Sequence, residues 1–187
     1  IGDRIRKQSE VMSYDLKSGR SGAFIIGLVQ HRIFKGDGIA IVEENDIIFR
    51  STPDPFAEGS NETELSVLPP ADVTRVITPD PVLMFRHSAL TFNSHRIHYD
   101  RDYAAQKGHP GLLVQGTLIA RLMLNMLAAE NRDFTVGAFS FRSGKPVYDN
   151  GDFTLGLSIK DDTAEFWVAD CDGSIGMTAQ AARAYRL

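Results

Sequence analysis

LVQGTLIARLMLNMLAA, residues Leu113–Ala129, decides the fold of this chain. Leu118, Ile119, Leu122, Met123 and Met126 recur at three- and four-residue steps, and Leu124 and Leu127 fill the other side, so the segment is apolar nearly all round. A helix of that kind is buried. Its seventeen residues span roughly 25 Å at the helical rise, enough to lie across a whole antiparallel sheet. Arg121 and Asn125 stand one turn apart on it. As polar groups on a buried helix they are expected to face a cavity or a subunit contact.

The flanks supply the sheet. After the helix, residues 135–142, 153–159, 164–170 and 176–185 alternate as strands, with Asn150-Gly151 and Asp172-Gly173 as tight-turn signals between neighbours. Before it comes a short strand at 73–78, then a polar stretch with a short helix at 100–107. The opening fifty residues alternate over 5–14, 23–34 and 39–49 and break at Gly-containing turns, the pattern of a three-stranded antiparallel meander. Residues 53–71, rich in Pro, Ser, Asn and Glu, read as a linker. The expectation is an α+β chain with strands at 1–52 and a helix-and-sheet domain at 72–187.

Composition excludes several classes of function. The chain has 187 residues, 43% hydrophobic and 24% charged, as in an ordinary globular protein. A net charge of −4, with no block of Lys or Arg, gives no footprint for nucleic acid or an anionic membrane surface. No apolar run reaches the length of a membrane-spanning helix. The single Cys171 rules out an internal disulfide and reads as a structural thiol in a reducing, cytoplasmic setting. The sequence opens at Ile1 without a signal-like segment, and is expected to begin partway into a longer product.

Between strand and helix stands Phe92-Asn93-Ser94-His95-Arg96-Ile97-His98-Tyr99-Asp100, followed by Tyr103-Ala104 and by Gly108-His109-Pro110-Gly111-Leu112-Leu113-Val114-Gln115-Gly116. This run resembles the active-site segment of the MaoC-like enoyl-thioester hydratases. It looks closest to the branch that holds the 3-methylfumaryl-CoA (mesaconyl-CoA) hydratases and the mitochondrial hydroxyacyl-thioester dehydratases. The resemblance implies a hot-dog fold, a long central helix wrapped by a curved antiparallel sheet, here a double hot dog with an incomplete N-terminal half. It also implies an acyl-CoA substrate and a homodimer. His98 falls where that family has its catalytic histidine, Asn93 where more distant members have a partner Asp, His95 at the motif Asn, and Gly116 at the amide that binds the thioester oxygen.

The residues themselves fit such chemistry. Adding water to an α,β-unsaturated thioester needs a base for water, a proton for the α-carbon and donors for the developing enolate oxygen. His98 titrates near neutrality and can serve for the first two in turn. Gly116, at a helix start, offers free N–H groups and room for a carbonyl. Asn93 holds water or caps a turn, and as an amide it cannot titrate. His95, Gln115, Arg96 and Tyr103 are the candidate substrate-binding side chains. His95 stands evenly between support and packing, Tyr103 reads more as a packing aromatic than as a donor, and Gly116 has the alternative of tight helix docking. Arg86, Arg96, Arg121 and Arg142 are candidate anchors for CoA phosphates or a second substrate carboxylate, or else ordinary surface charges. His95-x-x-His98 lacks a third ligand, so no metal is expected, and without a Gly-rich dinucleotide loop no cofactor is expected. A thioesterase is the alternative enzyme, although no Asp or Glu lies between Leu112 and Ala129. A non-catalytic acyl-thioester-binding module is the alternative outside enzymes.

Overall fold

The computed structural model describes residues 2–19, 22–50 and 67–184. The chain forms two compact units, residues 1–59 and 60–187. The first carries the expected meander: β1 (Ile5–Gly19), β2 (Gly22–Lys35) and β3 (Gly38–Arg50) pair antiparallel in the order β1-β2-β3. The turn from β2 to β3 passes through Gly36 at φ 60°, a left-handed conformation that a side chain would strain. Gly27 is needed for room, since a Cβ there would press on the rings of Tyr14 and Phe49. Ion pairs Arg32–Glu10 and Lys35–Asp3 decorate the exposed surface, while Leu16, Ile39, Ile41, Ile48 and Phe49 are exposed apolar side chains.

In the second unit the long apolar segment is α3 (Gly116–Glu130). Leu118, Ile119, Met123, Met126 and Leu127 are buried against inward residues of the sheet, among them Leu155, Leu157, Phe166, Val168 and Met177. Each such side chain removed from water stabilises the fold by on the order of 2 kcal/mol. The helix is less enclosed than its sequence implies: Thr117, Arg121, Asn125 and Ala128 form an exposed stripe. Arg121 and Asn125 therefore lie on the exposed side of α3, because the sheet covers the helix from the other side.

The sheet contains β4 (Val73–Ile77), β5 (Val136–Ser143), β6 (Phe153–Lys160), β7 (Thr163–Ala169) and β8 (Ile175–Arg183), all pairings antiparallel, in the order β4-β6-β7-β8-β5. Asp172-Gly173 makes the β7–β8 turn, as expected, with Gly173 at φ 80°. Asn150-Gly151 does not join neighbours, because β5 pairs with β8 and lies at the opposite edge from β4. Cys171 is exposed in the β7–β8 turn. The expected linker, 53–71, lies mostly outside the described residues, and Tyr185, the end of the last expected strand, lies outside them as well.

One helix departs from the sequence reading. Pro81–Thr91, read as polar chain, is α1. Asp80 caps it by accepting from the N–H groups of Val82 (2.8 Å) and Leu83 (2.9 Å), and Pro81 occupies the first turn, where its missing N–H is harmless. It stops at Phe92, which adopts φ 54°. The expected short helix is α2 (Arg101–Gln106), capped by Asp100, which accepts from the Tyr103 N–H.

On the outer face of the sheet Gly156 lies directly across from Trp167, and a Cβ at Gly156 would collide with the indole. Gly156→Ala should therefore lower the stability of the chain by about 1–3 kcal/mol, read as a lower urea midpoint at an unchanged slope. A midpoint equal to that of the parent would contradict this packing.

Candidate active site

The site is assembled where the turn before α2 meets the segment entering α3. Residues Arg96–His98 form a single 3-10 turn. The Leu113 N–H donates to the Ile97 carbonyl (3.0 Å) and the Val114 N–H to the Val147 carbonyl (2.8 Å), so the approach to α3 is held on both sides. Asp149 reinforces it with a wholly buried carboxylate. It accepts from the Leu112 N–H at 2.8 Å and from Arg101 at 2.5 Å. Gly111 makes room for that carboxylate, which a Cβ would meet at 2.9 Å.

His98 is 7% exposed. Its Nδ1 lies 2.7 Å from the Leu113 carbonyl oxygen. A carbonyl only accepts, so Nδ1 carries the proton and Nε2 of the neutral ring is left with its lone pair. Burial holds this imidazole below its ordinary pKa, against the opposing bond to Leu113, and electrostatic coupling to His95, His87 and His109 pushes the same way as burial. The ring is a neutral base at physiological pH.

Asn93 follows the C-cap of α1, and its Oδ1 accepts from the His95 N–H at 3.1 Å, an Asx turn that leaves the amide nitrogen as its outward donor. His95 is exposed, and its ring stands edge-on to that of His98, with centroids 5.8 Å apart. Arg96 and Tyr103 are committed to each other. The guanidinium bonds Asp100 (2.6 Å) and lies over the Tyr103 ring, 4.4 Å from its centroid. Asp100 is held below the usual carboxylate range by the Tyr103 N–H and then by Arg96.

Gly116 is the first residue of α3, and no side chain caps the helix there. The carbonyl of Gln115 is taken up by the N–H groups of Leu118 and Ile119, while the first N–H groups of any helix lack partners within it. A Cβ on Gly116 would stand 3.3 Å from Met177 Cε and 3.4 Å from Ser143 Oγ, so the space in front of this turn is narrow. Two bonds from α1 steady the turn. The Gln115 amide donates to the Met84 carbonyl and to Ser88 Oγ, both at 2.9 Å, from a buried position. His87 Nε2 meets Thr117 Oγ1 at 2.9 Å. His87 is kept below the ordinary imidazole pKa first by burial and then by the charge of Arg121.

The structure thus links His98 to Gln115 and Gly116 through the short segment that begins at Leu113 and places His95 beside His98. Arg96 and Tyr103 occupy a separate, exposed pairing. His87, Ser88 and Thr117 were not legible as part of the site, and the signal that leads to them is the Asp80-Pro81 helix start. A cleft of about 540 Å³ lies on the outer face of the sheet among Arg142, Glu165, Trp167 and Gln180 and contains none of these residues. Among the described residues no cluster of His, Cys, Asp and Glu could hold a metal ion, and no helix is long and apolar enough to cross a membrane.

Comparison with known proteins places this geometry in context. The hydroxyacyl-thioester dehydratase type 2 family matches residues 1–149. Mesaconyl-C(4)-CoA hydratase of Chloroflexus aurantiacus is 38% identical over 181 residues, covering 96% of this chain and 63% of that protein. The mitochondrial hydroxyacyl-thioester dehydratase type 2 of Schizosaccharomyces pombe is 31% identical over 96 residues, 50% of this chain and 31% of its own length. The chain thus spans less than two thirds of the curated relatives it matches. A MaoC-like dehydratase from Phytophthora capsici superposes with a TM-score of 0.73 at 12% identity, over 98% of this chain and 66% of the other. That likeness carries the fold, which is the hot-dog fold expected from the sequence.

His98 and His87 both bind a proton more weakly when folded than when unfolded. Between their folded values and about pH 6.5 the unfolded chain holds more protons, so stability contributed by keeping them neutral is complete above about 6.5 and is lost as pH falls. The urea midpoint should drop on going from about pH 7.5 to about 5, and His98→Gln should flatten that drop. An identical pH slope in the variant would contradict the buried neutral ring.

Proposed function

The chain belongs to the hydroxyacyl-thioester dehydratase type 2 family, and from that premise we propose that it hydrates an enoyl-CoA to the 3-hydroxyacyl-CoA and catalyses the reverse dehydration. The substrate is of the 3-methylfumaryl-CoA kind, given the name of the Chloroflexus relative. The observation that carries the reading is the bond from His98 Nδ1 to the Leu113 carbonyl. It aims an unprotonated Nε2 from a ring anchored three residues ahead of the open N-terminus of α3.

In the hydration direction, His98 Nε2 takes a proton from water as the water oxygen bonds to the β-carbon. The π pair of the double bond moves toward the thioester, and negative charge collects on its carbonyl oxygen. The Gly116 N–H and the positive end of α3 stabilise that charge. The protonated His98 then delivers its proton to the α-carbon, which restores the thioester and the neutral ring. A depressed pKa suits this cycle, because the resting ring is free to accept and the charged ring gives its proton up readily. Asn93 donates from its amide nitrogen to the water oxygen and orients it without titrating. His95 and Gln115 line the acyl end of the site, and the Arg96–Tyr103 pair stands at the CoA end.

The thioesterase alternative finds no carboxylate on α3 before Glu130, which is paired with Arg75 at 2.6 Å. A cytoplasmic homodimer belongs to the same proposal. It is supported by the exposed apolar side chains of the first unit, an area that a lone chain would carry as a liability.

Loss of the ultraviolet absorbance of the conjugated enoyl thioester measures turnover. His98→Ala should lose roughly 10²- to 10⁴-fold in kcat, and Gly116→Val should be inactive with the fold retained. Asn93→Ala should lose rate while keeping the pH profile of the parent. Near-normal turnover by His98→Ala, or binding without turnover by the parent, would overturn the hydratase reading.

A further inference from the structure

Strand β5 turns polar where it comes opposite the start of α3. Phe139, Phe141 and Ser143 alternate onto one face of it, and their cross-strand partners on β8 are Ala181, Ala179 and Met177. Those three partners belong to the core. Directly opposed residues share a face, so Ser143 stands on the side of the sheet that α3 covers. The two phenylalanines give way to a hydroxyl at the last residue of the strand.

That hydroxyl lies beside the open turn. Ser143 Oγ is 3.4 Å from the position of a Cβ on Gly116, and apart from the chain neighbours and the helix's own first turn it is the one polar atom of the described residues within 4 Å of it. Cα–Cβ bonds of a helix tilt toward its N-terminus, the end at which its first N–H groups stand open. A Cβ and the nitrogen of the same residue are about 2.5 Å apart, which puts Ser143 Oγ within about 6 Å of the Gly116 nitrogen. One acceptor bonded at about 2.9 Å by an N–H and at about 2.8 Å by an O–H bridges donors up to about 5.7 Å apart. All but a collinear arrangement therefore lets a single oxygen take both bonds. Among the described residues no group bonds the Ser143 hydroxyl, and its exposure leaves it open to a ligand. The other hydroxyl of this turn, that of Thr117, is already engaged by His87 at 2.9 Å.

We propose that the Ser143 hydroxyl is a second donor to the thioester oxygen, beside the Gly116 N–H. The assignment rests on the hydratase reading and adds to it a catalytic group supplied by the sheet. Charge collects on that oxygen as water adds to the double bond. A hydrogen bond to a charged oxygen is roughly twice as strong as one to a neutral carbonyl, so the serine stabilises the enolate more than the bound substrate. Ser143 keeps its proton throughout, and the proton that moves is carried by His98. Met177 Cε, 3.3 Å from the same Cβ position, closes the neighbouring side with an apolar atom.

The test uses the full chain, Ser143→Ala and Ser143→Thr, with two readouts. The first is hydration of 3-methylfumaryl-CoA. Ser143→Ala should lower kcat on the order of 10²-fold, the worth of one donor in such a site, with KM and the pH profile close to those of the parent, and Ser143→Thr should recover most of the rate. The second needs no turnover: the infrared carbonyl stretch of the saturated counterpart of that thioester, isotope-labelled at the carbonyl, should fall in frequency on binding to the parent and move part of the way back in Ser143→Ala. A Ser143→Ala variant with the kcat of the parent, one that loses rate through KM alone, or one with an unchanged carbonyl stretch would overturn the assignment and leave the hydratase reading intact. A parent that hydrates nothing would sink the hydratase reading and the assignment with it.

Discussion

A helix cannot satisfy its own first N–H groups, whatever its sequence. In this chain that constraint falls on α3, the helix on which the second unit is built. Its middle and end are buried by Leu118, Met123, Met126 and Leu127, but its start must meet either water or a ligand. No side chain caps it, and its first residue is a glycine. The other features of the site follow from holding such an uncapped end in one place. Gln115 and Thr117 tie it to α1, and the Leu113 and Val114 backbone ties it to the 3-10 turn and to residue 147.

The same ties set the protonation of the site. The Leu113 carbonyl that faces His98 belongs to the segment leading into α3, so one hydrogen bond fixes the tautomer of this imidazole and its position relative to the helix start. Burial then keeps the ring neutral, and the nearby histidines add to that effect. A proton acceptor and a set of uncommitted N–H donors are thereby held on one short piece of chain. The Asp149–Arg101 clamp backs that piece from behind, with a carboxylate whose bond to the Leu112 N–H would be left unmet by a slipped register.

Much of this was legible in the sequence. The period of Leu118, Ile119, Leu122, Met123 and Met126 placed the helix, and the alternation of the flanking segments placed the strands. The histidine and glycine of the site stood out through their resemblance to a known motif. What was not legible depended on contacts between distant segments. Arg121 and Asn125 were expected to face a cavity or a subunit contact, and they lie on an exposed stripe of α3, because helical periodicity reports which residues are apolar while the sheet determines which side of the helix is covered. Helix α1 was passed over because its buried face is short and mixed, made of Met84, His87 and Ser88, although its Asp80-Pro81 start is a local signal that could have been read. Asn150-Gly151 carried a hairpin signal, but β5 and β6 occupy separate places in the sheet, and no local pattern encodes that order.

The most direct measurement of the central claim is a crystal structure of the full chain with an unreactive enoyl-thioester analogue of CoA bound. If the open start of α3 is the oxyanion site, the thioester oxygen will lie within about 3 Å of the Gly116 nitrogen, with His98 Nε2 facing the two carbons of the double bond. A thioester oxygen bound away from α3, or a double bond out of reach of His98, would contradict it.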